Sequence, residues 1–187
     1  MVRGVIFAGN CSRMSKANSI LRALLKRKSE CRKSKLKLHW SVIRPVVVYG
    51  CETWVLKESI IQRLSVFERK ILRNIFGPTK EDNGNWRIKT NIVLDELIKH
   101  WNIINYVKAQ RLSWFGHINR MSETSIVKKI NKWKPFTGRP VGRLKSLWED
   151  DVSNDLKEMK LMKWTEQVQD HLKWEGIVEK AETLPQL

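Results

Sequence analysis

The stretch SIIQRLSVFERKILRNIFG, residues 59–77, decides the fold class. Its main apolar residues recur every three or four positions, which places them on one face of an α-helix. They are Ile60, Leu64, Phe67, Ile71 and Ile75. Ser59 is a favourable N-cap, and Gly77 followed by Pro78 is a strong stop signal. We therefore expect one amphipathic helix that ends just before Gly77.

The helical period recurs through most of the remaining chain. An apolar face runs from Leu36 to Val47, although Pro45 should kink or end that helix because it lacks an amide donor. Residues 46–49 form an ambiguous β-branched run, and no convincing strand pattern appears. We predict an all-α fold, an irregular helical bundle with short basic Gly/Pro loops such as KPFTGRPVGR at residues 134–143.

The net charge of +17 is unevenly distributed along the 187 residues. Residues 1–50 hold twelve lysines and arginines against one acid, and residues 101–145 hold ten against one. Residues 146–187 hold five basic and ten acidic residues. Two basic regions and an acidic C-terminal region favour a polyanionic partner. We expect nucleic acid, because each neutralised phosphate releases counterions.

The tryptophans, the cysteines and the lack of a long apolar segment indicate which class of protein this chain belongs to. Nine tryptophans are spread along the chain, and we expect them to be core anchors, since each indole can bury roughly 200 Å². Cys11, Cys31 and Cys51 form no CxxC pair and indicate free thiols in a reducing compartment. No segment approaches the ~18 apolar residues of a membrane span. The prediction is a soluble intracellular protein, nuclear or cytoplasmic, with no membrane partner.

No pattern predicts a catalytic or metal site. Glu149, Asp150 and Asp151 could belong to a two-metal carboxylate cluster or could stabilise the start of a helix. The helix-start interpretation is favoured, because periodicity identifies no further carboxylate. His117 lies in an apolar helical pattern and is interpreted as a packing or hydrogen-bonding residue rather than a general base. We expect no cofactor, no metal, no small-molecule substrate and no enzymatic activity of the chain on its own.

Four blocks occur in order along the chain, and each combines a tryptophan or phenylalanine with one or more arginines. They are block 1, VIRPVVVYGCETW (residues 42–54); block 2, SVFERKILRNIFG (65–77); block 3, QRLSWFGHINRM (110–121); and block 4, TGRPVGRLKSLWEDDVSNDL (137–156). Any one block is explained as a helix that packs its aromatic side. The ordered set of four is more specific.

Together the blocks resemble the region C-terminal to the polymerase palm in non-LTR (LINE-type) retrotransposon endonuclease/reverse transcriptases. They are similar to the family's stretches IRPVLLYGSETW, FERKILRRIFG, RLRWLGHVLRM and GRPRGRPKLRWLDDVKEDL. The resemblance implies a partial thumb-like basic helical region at residues 1–77 and a loop at 78–90. It implies a post-thumb helical region at residues 91–187, with the basic GRPVGR loop and acidic C-terminal helices.

The departures from the family's pattern matter for activity. The family's paired catalytic aspartates lie in a FADD-like turn of the palm, and no such turn occurs in these residues. Asp150 and Asp151 belong to block 4 and do not correspond to that pair. Ser113 replaces a usual arginine, and His171 stands where an Asp-Arg pair is common. These losses indicate a decayed or co-opted fragment of an RNA-directed DNA polymerase.

The resemblance and the charge predict a non-catalytic reverse transcriptase fragment that binds the backbone of RNA, DNA or a primer-template. The expected contact residues are cations of the two basic regions: Lys26, Arg27, Lys28, Arg32, Lys33, Lys35, Lys37, Lys128, Lys129, Lys132, Lys134, Arg139, Arg143 and Lys145. A host-used, tryptophan-anchored DNA-binding module is an alternative, and it would keep sequence preference at moderate salt. A non-functional translated relic is another, with apolar faces that once packed on the palm.

Overall fold

A computed structural model describes residues 31–99, 101–133, 148–161 and 163–183, together with Ser15 and Ser19. These ranges are helical apart from one short antiparallel ladder, which confirms the all-α prediction. The elements are α1 (Arg32–Leu38), a π-helical turn (His39–Ile43), α2 (Arg44–Val48), a 3₁₀ turn (Cys51–Thr53), α3 (Glu58–Phe76), β1 (Thr79–Lys80), β2 (Trp86–Arg87), α4 (Asn91–Leu97), α5 (Ile103–Arg120), α6 (Ile126–Lys132), α7 (Trp148–Glu158), α8 (Trp164–Gln167) and α9 (His171–Glu182).

The chain folds as two compact units. Unit 1 comprises residues 1–50 and 58–104, and unit 2 comprises residues 51–57 and 105–187. Helix α5 therefore gives its first two residues to unit 1 and the rest to unit 2. The predicted division into thumb-like region, loop and post-thumb region follows the family resemblance and stays a prediction.

In unit 1, α3 contacts α1 and α4. The helix begins at Glu58, one residue before the predicted cap, and ends before Gly77 as expected. Gly77 has a φ of 69°, which favours glycine, and its N–H donates to the Arg73 carbonyl at 2.9 Å. A small core joins α3 to α4 and α1. Its members are Leu72, Leu94 and Ile98, with the half-buried Leu36, Trp40 and Phe76.

Pro45 does not end the helical segment. The backbone stays helical to Val48, and Pro45 is the second residue of α2, directly after the π-helical turn. Pro45 has no N–H to donate to the preceding turn, and the π-helical turn there is wider, with the Arg44 N–H bonded to the His39 carbonyl. A π turn is a known way to insert extra backbone into a helix. The expected kink is therefore a local change of helix type, and the β-branched run that follows is helical.

The core of unit 2 gathers residues from α5, α7 and α9. Its buried members are Ala109, Leu112, Phe115, Val152, Leu156, Val168, Trp174, Ile177 and Ala181. The Phe115 ring lies 5.0 to 6.3 Å, between centroids, from the rings of Trp148, Trp164 and Trp174. The Trp174 Nε1 donates to the Leu112 carbonyl at 2.9 Å. Aromatic residues of blocks 3 and 4 therefore build this core.

The spacing of Trp164, Val168 and Leu172 predicts that one last helix carries all three on its buried face, but the structure divides this segment into α8 and α9. Asp170 lies between them and accepts hydrogen bonds from the amides of Leu172 and Lys173, so a second helix starts there. Leu172, expected on the buried face, is exposed. The expectation that every tryptophan anchors the core is also only partly met. Trp54 and Trp174 are buried, but Trp86, Trp101 and Trp133 are exposed.

Candidate nucleic-acid interface

Unit 1 contains a buried charge cluster, the Glu68 centre, formed by Glu68, Arg44 and His39. Arg44 Nη2 lies 3.5 Å from Glu68 Oε1 and donates to the Trp101 carbonyl at 2.6 Å. The second oxygen of Glu68 accepts the Ile103 N–H at 2.8 Å. His39 Nε2 lies 3.6 Å from Glu68 Oε1, and its ring is fully buried. Blocks 1 and 2 are therefore joined through buried charges that a partner cannot reach.

The Arg44 guanidinium also makes an aromatic contact. Its central carbon lies 3.9 Å from the centroid of the Trp40 ring, which is a cation–π distance. Arg44 is 6% exposed, so its charge is satisfied by a carboxylate, a carbonyl and a ring rather than by water. This arginine is a structural residue of unit 1.

Unit 2 contains a second buried cluster, the Arg111 centre, formed by Arg111, Asp151, Asp155 and Lys108. The Arg111 guanidinium contacts the Asp155 carboxylate and lies 3.3 Å from Asp151 Oδ2. It also donates to the Trp54 carbonyl at 3.4 Å. Lys108 Nζ lies 3.5 Å from Asp155 Oδ1. Burial raises the pKa of the Asp155 carboxyl, against the opposing effect of the two cations.

Block 4 reaches block 1 and the residues just after it through two further hydrogen bonds within unit 2. Asp151 Oδ2 accepts the Leu56 N–H at 2.8 Å, and Trp148 Nε1 donates to the Glu52 carbonyl at 2.8 Å. Glu149, Asp150 and Asp151 do lie in the first turn of α7, as the helix-start interpretation predicts. Sequence reasoning missed that Asp151 also pairs with Arg111. The i,i+4 spacing of Asp151 and Asp155, beside the buried Val152, is the signal that could have found it.

Of the contact residues predicted in the first basic region, those that the structure describes lie in α1. Arg32, Lys33 and Lys37 are exposed, and Lys35 is half-buried. The helix has no acidic residue. Three more predicted contact residues, Lys26, Arg27 and Lys28, lie outside the described residues. Helix α1 therefore presents three exposed cations without an acid of its own.

Of the contact residues predicted in the second basic region, the structure describes Lys128, Lys129 and Lys132. All three lie in α6, and they differ in their hydrogen bonds and exposure. Lys128 Nζ donates to the carbonyls of Asn119 and Met121 at 2.9 and 2.8 Å, so it fixes α6 to the end of α5. Lys132 Nζ lies 2.7 Å from Glu123 Oε2. Hydrogen bonds from Lys132 and then Lys128 lower the pKa of the Glu123 carboxyl. Lys129 is exposed. Lys134, Arg139, Arg143 and Lys145 lie outside the described residues.

Within the described ranges, no group of three or more His, Cys, Asp or Glu side chains is placed to hold a metal ion. None of the helices described there has both the length and the apolar character needed to cross a membrane. His117 is exposed, with its ring 5.5 Å from that of Trp114, so its contact is at the surface and not in the core.

Comparisons with known proteins give one similarity that bears on origin. No protein-family model and no solved structure matches the chain. A putative uncharacterized transposon-derived protein of Caenorhabditis elegans is 21% identical over 159 residues, which cover 81% of this chain and 56% of that protein. The chain thus spans little more than half the length of this curated relative. The similarity supports a transposon origin for the chain.

Proposed function

We propose that this chain is a non-catalytic fragment of a non-LTR (LINE-type) retrotransposon reverse transcriptase that binds the backbone of RNA or DNA. The observation that carries the proposal is the ordered set of four blocks, whose inward-facing residues meet in the Glu68 and Arg111 centres. A chain with these contacts retains the packing of a folded scaffold. The similarity to a transposon-derived protein supports the same origin.

Backbone binding is proposed for the exposed cations of α1 and α6. Arg32, Lys33 and Lys37 supply three positive charges on α1, and Lys129 supplies one on α6. Contacts of this kind neutralise phosphates without reading the base sequence. Lys128 has a positioning role, because its ammonium group bonds to the last carbonyls of α5 and to Glu123. The remaining predicted cations extend both regions along the sequence.

The test is the salt dependence of nucleic-acid binding, measured by fluorescence anisotropy with labelled single-stranded RNA. The test variant replaces Arg32, Lys33 and Lys37 with glutamine. We expect the slope of log affinity against log salt to fall by about 2, since each single-strand phosphate contact contributes about 0.7. The control variant replaces three exposed lysines of the acidic C-terminal region, Lys157, Lys163 and Lys180, with glutamine. It therefore loses the same three positive charges as the test variant. Its slope should stay that of the wild type.

Three results would contradict the proposal. If the salt slope fell equally in both variants, the effect would be due to net charge, and a phosphate-binding site on α1 would be excluded. Absence of binding even at low salt would remove the binding function and favour a relic. Reproducible primer extension by the purified chain would contradict the non-catalytic part. Strong preference for one DNA sequence at moderate salt would instead favour the host-used DNA-binding module.

A further inference from the structure

We propose that Trp133 stacks on an unpaired nucleobase while Lys129 contacts an adjoining phosphate, so that α6 takes a single strand of RNA or DNA. This inference rests on the proposed function and names the form of nucleic acid that the second basic region accepts. It is carried by the surface of α6, where apolar and cationic side chains are exposed together.

Trp133 directly follows α6 and is 64% exposed. Its amide donates to the Ile130 carbonyl at 3.2 Å, so the helix end holds the backbone while the indole faces solvent. Ile126 and Ile130 precede it by seven and three positions and are 73% and 68% exposed. Side chains at this spacing lie on one side of a helix. Helix α6 therefore presents an apolar row that ends in an indole.

The opposite side of α6 is fixed in place. Lys128 has a side chain only 12% exposed, and it bonds to the carbonyls that end α5. This anchor orients the helix with its apolar row outward. Lys129 lies four positions before Trp133, so its ammonium group is on the same side as the indole. Lys132 follows Lys128 by four positions and shares its partner Glu123, so it belongs to the fixed side of the helix.

The sequence from α6 onward is strongly basic, and two acids border the helix: Glu123 pairs with Lys132, and Glu149 accepts a hydrogen bond from Asn131. Residues 126–145 contain seven lysines and arginines and no acid. An exposed aromatic ring beside cations is the combination that single-strand binding proteins use, because the ring stacks on a base while the cations follow the backbone. In a duplex the base faces are covered by neighbouring bases. We therefore commit to a single strand as the occupant.

An anionic membrane is the rival occupant, since isoleucine, tryptophan and lysine also suit an interfacial helix. Helix α6 has seven residues, so it is only about 10 Å long, at 1.5 Å for each residue. Its apolar row has three members, which is a small area to insert into lipid. The membrane is accordingly an outcome of the test.

The experiment compares three single variants of the full chain, Trp133→Ala, Trp133→Phe and Trp86→Ala, by anisotropy with an unstructured single strand and with a duplex. Trp86 is the matched control because it is 68% exposed and lies on β2 in unit 1. We expect Trp133→Ala to weaken single-strand binding about 5- to 100-fold, the range for loss of one stacked base. Trp133→Phe should retain most of the affinity. Duplex affinity and the salt slope should be unchanged in all three variants.

The outcomes separate this inference from the proposed function. Salt-dependent binding that Trp133→Ala leaves unchanged would overturn the stacking site and leave backbone binding intact. Equal losses in Trp133→Ala and Trp86→Ala would also overturn it. If Trp133→Ala instead lost binding to phosphatidylserine vesicles and kept single-strand binding, the surface would be a membrane site. Wild-type protein that binds neither strand form would remove the proposed function itself.

Discussion

In unit 1 one carboxylate, Glu68, pairs with a guanidinium and accepts a backbone amide beside a buried imidazole, whereas in unit 2 one guanidinium, Arg111, serves two carboxylates and a carbonyl. The sign of the central charge is reversed between the two clusters. Loss of Glu68 leaves Arg44 with the Trp101 carbonyl and the Trp40 ring. Loss of Arg111 leaves Asp155 with Lys108 and Asp151 with the Leu56 amide, so two carboxylates on one helix share a single remaining cation. We infer that unit 2 depends more on its central residue than unit 1 does.

Block 1 contributes to both clusters, and its two ends do so differently. Arg44 supplies a side chain to the Glu68 centre. The backbone near its other end supplies carbonyls of Glu52 and Trp54 to Trp148 and Arg111. An arginine side chain is specific to sequence, whereas a carbonyl is available at any residue. Substitutions should therefore be felt more at the first end of the block than at Glu52.

The largest effect is expected for Arg111→Met. Removal of one partner of a buried ion pair typically costs about 3–5 kcal/mol, because the remaining charge stays buried without compensation. Here two carboxylates lose the same partner. The loss should appear in urea unfolding, and hydrogen exchange should locate the lost protection in α5 and α7.

The matched variant in unit 1 is Glu68→Gln, which keeps one oxygen to accept the Ile103 amide. Arg44 keeps its bond to the Trp101 carbonyl, so we expect a loss of about 1–3 kcal/mol, the range for one unsatisfied buried polar group. Hydrogen exchange should place this loss in α3. If Glu68→Gln lowered the free energy of unfolding as much as Arg111→Met does, the proposed difference between the two clusters would be wrong.

A smaller effect is expected where α5 meets Trp174 in unit 2. A methyl group at Gly116 would overlap the Trp174 indole, so Gly116→Ala must displace that ring from its bond to Leu112. Overpacking of this kind costs about 1–3 kcal/mol. Thermal unfolding should show the loss, together with a change in tryptophan fluorescence.

Gly176→Ala is the control for that substitution. Gly176 lies within α9, and a methyl group there would meet nothing within 4 Å. Alanine in a helix interior is more favourable than glycine by roughly 0.5–1 kcal/mol, so this variant should be slightly more stable than the wild type. Equal destabilisation by both variants would contradict the indole contact as the cause, because Gly176 has no neighbour that a methyl group would meet.

The smallest effect concerns the two described thiols, one in each unit. A hydrogen bond from the Ser34 hydroxyl, at 3.4 Å, lowers the pKa of the exposed Cys31. Burial raises the pKa of Cys51 to about 12. In a Cys11→Ser variant, a thiol reagent at mildly alkaline pH should modify Cys31 in the folded protein and Cys51 only after unfolding. Rapid modification of Cys51 in the folded protein would show that unit 2 opens readily.

The raised pKa of Cys51 also predicts that the stability of the protein depends on pH in the alkaline range. The Cys51 pKa is raised from the ordinary value of 9.0, so its thiol form is favoured in the folded state. This contribution is fully present below pH 9.0 and is lost as the pH rises toward about 12. A Cys51→Ala variant should lack that part of the pH dependence in urea unfolding.

Local sequence predicts the helices well where an apolar period and a terminal signal agree. The Gly77 stop is confirmed, because it depends on residues within one turn. The helix end expected at Pro45 and the undivided C-terminal helix were wrong. In both places a neighbouring feature changed the outcome, namely the π turn before Pro45 and the Asp170 cap before α9. The candidate cations were identifiable as charges, but the internal bonds of Lys128 were not.

The sequence by itself determined the helical class, the two basic regions and the order of the four blocks, since all three are read from composition and short spacings. Only the tertiary structure decided which charges face inward. Arg44 and Glu68 are 24 positions apart, and Arg111 and Asp151 are 40 apart. Only chain folding brings such residues within hydrogen-bond distance. It also decided that Trp174 is buried over a glycine while Trp133 remains exposed, because burial depends on the surface that packing brings opposite each ring.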